Sequence, residues 1–86
     1  KGRVVKLEKN KMSLVEMLPG QEGTVVAIDG GQGMVNRLWV MGIFPGRKIT
    51  KLSSLPAQGP VVIKVGNQEL ALGRGMAQKV IVEVTQ

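Results

Sequence analysis

Arg37-Leu38-Trp39-Val40-Met41-Gly42-Ile43-Phe44-Pro45-Gly46 is the stretch on which the fold turns. It reads as one or two apolar helical turns, ended by Gly42 and by Pro45-Gly46, between two strand-like segments. From Met34 to Met41 only Asn36 and Arg37 are polar. A helix apolar on nearly every side is buried or meets a partner. The same stretch holds the only Trp and the only Phe of the chain. Gly42 fits the residue after a helix that leaves in the left-handed conformation.

Working outward, Gly23-Thr24-Val25-Val26-Ala27-Ile28 reads as a strand, and Asp29-Gly30-Gly31-Gln32-Gly33 as a loop into the helix. Further upstream, Ser13-Leu14-Val15-Glu16 has the spacing of a capping box. It predicts a short helix with Leu14, Met17 and Leu18 as its apolar side, stopped by Pro19-Gly20. Downstream, Arg47–Leu52 reads as a strand and residues 53–59, with Pro56, as a loop. Val61, Ile63 and Val65 alternate with Val62 and Lys64, which gives one buried face. Gly66-Asn67 is a two-residue hairpin turn into Gln68–Leu72, with Leu70 and Leu72 inward. Gly73–Ala77 reads as a turn or a single 3₁₀ turn. Val80, Val82 and Val84 alternate in a last strand.

Eighty-six residues form one domain with a small core. Thirteen Val between twelve Gly and four Pro point to a small β barrel or sandwich. There is no Cys and no His. That removes disulfides, thiolate chemistry, the usual general base and the commonest metal ligand. No apolar run approaches the roughly 20 residues of a membrane span. The expected place is the cytoplasm. Of the net charge of +6, residues 1–11 contribute +4. Because Met12-Ser13-Leu14 resembles a natural start, residues 1–11 are read as a basic leader outside the domain and residues 12–86 as the domain. The basic isoelectric point then says little about a polyanion partner.

Together these residues resemble the ferrous iron transport protein A family, FeoA, whose SH3-like barrel is shared with the C-terminal domain of DtxR-type regulators. The resemblance rests on Ser13-Leu14, Leu18-Pro19-Gly20, Gly23 with Val25, Arg37-Leu38, Met41-Gly42-Ile43, Pro45-Gly46, Gly59-Pro60, Val65-Gly66, Leu70-Ala71-Leu72, Ala77 and Ile81-Val82-Val84. Its most specific part is Arg-Leu-x-x-Met-Gly-Ile-x-Pro-Gly. Gly73 departs from the family, where many relatives carry Arg. The resemblance implies an all-β fold with short helices: an SH3-like small β barrel of five strands with a helical insertion after the first strand. It implies a cytoplasmic accessory protein that meets the FeoB permease, or its G-protein domain, at the inner face of the membrane. It implies neither an enzyme nor a cofactor.

The candidate partner-binding residues are Arg37, Leu38, Trp39, Val40, Met41, Ile43 and Phe44. The plainer alternative is that Leu38, Met41, Ile43 and Phe44 only cap one end of the barrel. With Val35, Leu38 and Gly42 on one side of the helix, Val40 and Ile43 are expected on the other. Trp and Met are favoured at interfaces. Self-association through this helix is also allowed. The glycine loop lacks a following Lys and does not fit a phosphate-binding loop. Iron(II) sites draw on imidazole and carboxylate, and the carboxylates show no ligand spacing, so at most weak divalent transition-metal binding is expected. No nucleophile–base pair is present for catalysis. A rival reading is an RNA-binding, KOW-like barrel, from Gly20–Ile28 and the basic leader. Two aromatic residues and +2 on residues 12–86 argue against nucleic acid.

Overall fold

The computed structural model describes residues 10–54 and 59–84. The chain runs β1 (Lys11–Ser13), β2 (Glu22–Ile28), α1 (Gln32–Val40), β3 (Lys48–Ser54), β4 (Val61–Val65), β5 (Gln68–Leu72), α2 (Arg74–Ala77) and β6 (Val80–Val84). All six strands form one sheet, in the order β1-β6-β2-β3-β4-β5, and every neighbouring pair is antiparallel.

Alternation sets the inner face. Val61, Ile63 and Val65 of β4 and Val80, Val82 and Val84 of β6 are buried, while the residues between them are not. Each such side chain contributes roughly 1.5–3 kcal/mol by leaving water. Leu14, Met17, Val25, Leu38, Ile43, Ile49, Leu72 and Ala77 complete one core. Pairing skips Val26 in β2 and Leu52 in β3. These irregularities bend their strands and shift which residues face inward. Gly23 of β2 packs closely against β6. A Cβ there would meet the Glu83 carbonyl oxygen at 3.2 Å and the Val82 Cβ at 3.3 Å. The β4–β5 hairpin turns at Gly66-Asn67, and Gly66 has φ 63°, as the tight hairpin turns require at that position.

Among the described residues there is one strand more than the five expected. The sixth is β1, in which Lys11 pairs with Glu83 and Ser13 with Ile81. Lys11 had been assigned to the leader; residues 1–9 lie outside the described residues, as do 55–58 of the expected loop. The strand expected at Arg47–Leu52 runs from Lys48 to Ser54, and the helix expected at Met34–Met41 runs from Gln32 to Val40. The segment after Gly73 is a single helical turn, Arg74–Ala77.

The short helix expected after Ser13 does not form. Residues 14–17 make a tight turn in which Glu16 N–H donates to the Ser13 carbonyl and Met17 N–H to the Leu14 carbonyl. Half of the capping box is present: the Ser13 N–H donates to Glu16 Oε1 at 3.0 Å. Pro19 disfavours helix at Leu18. The deciding contact is distant in sequence. The Lys51 Nζ donates to the carbonyls of Leu14 at 2.8 Å, Val15 at 3.2 Å and Met17 at 2.7 Å. An ammonium has three donors, and here each finds one carbonyl. Lys51 is fully buried beside Ile49 on the inner face of β3.

Two outcomes follow for Lys51→Met, which keeps the length of the side chain. Buried carbonyls left without a donor cost roughly 1–3 kcal/mol each. Because the Leu14 carbonyl keeps the Met17 N–H and the Val15 carbonyl is only partly buried, the expected loss in urea unfolding is about 3 kcal/mol in all, about 1 kcal/mol for each of the three carbonyls. Burial, and after it the charge of Arg74, lower the Lys51 ammonium below its ordinary 10.5. The unfolded chain therefore holds this proton more firmly than the folded one, and folding gains as pH rises toward 10.5. Lys51→Met lacks that gain, so the stability gap between the two proteins should widen with pH over that range. A gap that is flat or narrows would contradict the assignment.

Candidate functional site

Helix α1 is short and weakly capped at its start: Gly31 provides no side-chain cap, and the first turn has no acidic residue. Gln32 Nε2 donates to Asn36 Oδ1 at 3.0 Å, an i to i+4 pair on the exposed side. The C-terminal end is much better defined. Gly42 N–H donates to the Trp39 carbonyl and Ile43 N–H to the Leu38 carbonyl, both at 2.9 Å, with Gly42 at φ 90°. This is a Schellman motif, whose two bonds satisfy carbonyls the helix leaves open. The positions that make its apolar contact are Leu38 and Ile43, and both are fully buried. Arg37 lies in the last turn, where a cation suits the helix dipole.

A second reversal follows at once. Arg47 N–H donates to the Phe44 carbonyl at 3.0 Å, with Pro45 and Gly46 between them and Gly46 at φ 99°. That is a type II turn with Pro and Gly in their preferred places. Gly46 N–H also donates to the Val25 carbonyl at 2.8 Å, which ties the loop to β2. The two reversals bring the Trp39 and Phe44 rings together, with centroids 4.9 Å apart and planes tilted by 33°. The Arg47 guanidinium sits over Phe44, 5.7 Å from the ring centroid.

The seven candidate residues therefore divide. Trp39 is 53% exposed and Val40 is 88% exposed. Arg37 is exposed, and Met41 and Phe44 are half-buried. Leu38 and Ile43 are withdrawn from the contact set, because neither presents any surface. Ile43 was expected opposite Leu38; the reversal at Gly42 instead folds it back into the same core. Arg47, expected only as the start of a strand, is half-buried and joins the surface through Phe44. The signal available for it was the Phe-Pro-Gly-Arg spacing of a type II turn, which closes Arg47 onto Phe44.

Other surfaces are less developed. A shallow groove is lined by Glu16 and Asp29, together with Lys11 and Lys79, so its charges oppose one another. Among the described residues no group of three His, Cys, Asp or Glu side chains could hold a metal ion. No helix among them is long and apolar enough to cross a membrane.

Comparison with known proteins bears on the family and the fold. The family model described as FeoA domain matches residues 12–84. A protein of Methanocaldococcus jannaschii named "Putative Fe(2+) transport protein A" is 41% identical over 64 residues, which are 74% of this chain and 76% of that one. The crystal structure of an iron uptake regulatory protein, FeoA, is 41% identical and superposes with a TM-score of 0.82, covering 87% of this chain and 99% of that one. The zinc complex of FeoA from Stenotrophomonas maltophilia, described as a prokaryotic SH3 domain protein, is 24% identical with a TM-score of 0.70, covering 83% of this chain and 88% of that one. At that identity it supports the fold alone. The mostly β, SH3-like architecture expected from the sequence is the one observed.

The division of the helix into a buried and an exposed side predicts a contrast between near neighbours. Leu38→Ala should lower stability by roughly 2–4 kcal/mol, as for other fully buried leucines. Val40→Ser, at a position almost wholly in water, should change it by less than about 0.5 kcal/mol. Thermal unfolding of both variants gives the comparison, and equal losses would refute the placement of α1.

Proposed function

The chain belongs to the FeoA domain family, and from that premise we propose that it is a cytoplasmic accessory protein of ferrous iron uptake. It acts by binding a FeoB-type permease, without catalysis and without a cofactor of its own. The contact surface is the exposed side of α1 and the loop after it: Trp39 and Val40 at the centre, with Arg37, Met41 and Phe44 around them.

One observation carries this reading above the others. Among the described residues, the exposed large hydrophobic side chains are Leu18, Trp39 and Val40, and two of the three are adjacent on one short helix. A chain whose only Trp could have joined a small core instead presents half of it to water. Tryptophan is the residue type most often found to dominate binding energy at interfaces. Its ring is held by Phe44, so little freedom is lost when a partner covers it.

The test is a titration of the isotope-labelled 86-residue chain with the full-length permease of the same genome in lipid nanodiscs. Amide signals of residues 37–46 are expected to broaden first. Trp39→Ala should weaken binding by about 2 kcal/mol or more, the size of a hot-spot residue, while its thermal unfolding stays close to that of the unaltered protein. Broadening confined to another face, or undiminished binding by Trp39→Ala, would defeat the proposal.

A further inference from the structure

The chemistry of the partner can be read from the charges around this surface. From Gly30 to Gln68 the chain contains no Asp or Glu, yet it contains Arg37, Arg47, Lys48, Lys51 and Lys64. Two of these cations are accounted for within the fold. Lys51 is buried on its three carbonyls, and Lys64 lies opposite Glu69 across β4 and β5. Lys48 shares a shallow groove with Glu22. Arg37 and Arg47 remain, and they flank the apolar centre. By helical rotation Val40 lies between Arg37 and Trp39. On the far side Trp39 meets Phe44, and Phe44 carries Arg47. None of the side-chain hydrogen bonds among the described residues involves either arginine.

We infer that this surface receives an acidic protein segment bearing an apolar anchor, the anchor on Trp39 and Val40 and the carboxylates on Arg37 and Arg47. The inference rests on the docking role proposed above and adds the kind of segment that fits. Charge complementarity of this form fixes orientation and raises the rate of encounter. A guanidinium stacked on an aromatic ring keeps its donor edge free for a carboxylate. Nucleic acid fits less well. The Phe44 ring is already engaged by Trp39 and by Arg47, so it is no open stacking platform. An anionic lipid surface is also a poorer match, because surfaces that bind through charge gather four to eight basic residues, and among the described residues this surface carries two, the exposed Arg37 and the half-buried Arg47.

The test has two arms. In the first, the permease in nanodiscs is titrated with the unaltered chain, with Arg37→Glu/Arg47→Glu, and with Lys64→Glu/Lys79→Glu as a control of equal charge change. Reversing two surface pairs of ordinary strength should weaken binding roughly tenfold, with little change in the control. Arg47→Gln, which leaves the loop without a new charge, should show a smaller loss in the same direction. Binding that Trp39→Ala abolishes but the arginine reversals leave intact would overturn the acidic-segment inference and preserve the docking role.

The second arm needs no permease. The labelled chain is mixed with the random copolymer of glutamate and tyrosine, with poly-L-glutamate, with vesicles of phosphatidylglycerol, and with single-stranded oligonucleotide. Shifts at Trp39, Val40 and Arg47 that are larger with the copolymer than with any other probe support the inference. A stronger response to the vesicles or the oligonucleotide would overturn it in favour of that class. No response to any probe, with no effect of the arginine reversals on the permease, would also overturn it.

Discussion

A buried ammonium organises one end of this protein. Lys51 lies at the centre of β3, yet its three protons go to carbonyls of residues 14, 15 and 17, more than thirty positions earlier. Those carbonyls belong to a turn that carries Leu14 and Met17 into the core. Without this donor, the Met17 carbonyl would be a buried polar group with nothing to offset its loss of water, and the Leu14 carbonyl would keep only the Met17 N–H. With it, the turn is fixed onto the sheet, and β1 before it is fixed against β6. The backbone reinforces this link: Gly20 N–H donates to the Lys51 carbonyl at 2.7 Å, and Lys51 N–H to the Gln21 carbonyl at 2.9 Å. So the side chain and main chain of one residue anchor the whole entry to the barrel. A small core has little other means of holding a non-helical, non-strand segment, since its hydrophobic surface is limited.

The residues that were legible in the sequence are those whose local chemistry permits one geometry. Gly42, Pro45-Gly46 and Gly66 each sit where a positive φ or a fixed turn is required, and each turn was placed correctly from them. Alternating Val and Ile gave β4 and β6 their inner faces because period two has no other reading in so short a segment. What escaped the sequence reading was decided by partners far along the chain. Ser13 to Glu16 satisfies a local rule for helix starts, and one of its two hydrogen bonds does form. The competing distant donor, Lys51, has no local signature beyond being a lysine in phase with Ile49. Strand β1 is three residues long, and its pairing with β6 leaves no pattern of its own. The exchange of Ile43 from exposed to buried has a local origin instead, the reversal at Gly42. A helical projection continued past Gly42, where the helix had already ended.

The reversal that buries Ile43 also explains why Trp39 is exposed. The Schellman motif fixes Leu38 and Ile43 as a pair on the core side. Once Leu38 points inward, a rotation of about 100° per residue carries Trp39 to the flank and Val40 further into water. The exposure of both is therefore a geometric consequence of how the helix is ended, and cannot be relieved by a small rotation. Turning α1 to bury Trp39 would withdraw Leu38 from a core that it fills, at a cost of the order of a leucine cavity. The candidate surface is thus imposed by the same glycine that makes the motif possible.

That coupling bears on how such a surface would work. Flexible exposed apolar residues lose rotational freedom on binding, and that loss subtracts from affinity. Here the Trp39 ring rests on Phe44, Phe44 starts a turn closed by Arg47, and the turn is tied to β2 through Gly46 and Val25. The surface is held in place before any partner arrives. A barrel of this size can offer only a small contact area, so rigidity and charge placement must do what area does in larger interfaces. The arrangement of one supported aromatic ring, one exposed valine and two flanking guanidiniums meets both conditions within about ten residues, the span from Arg37 to Arg47.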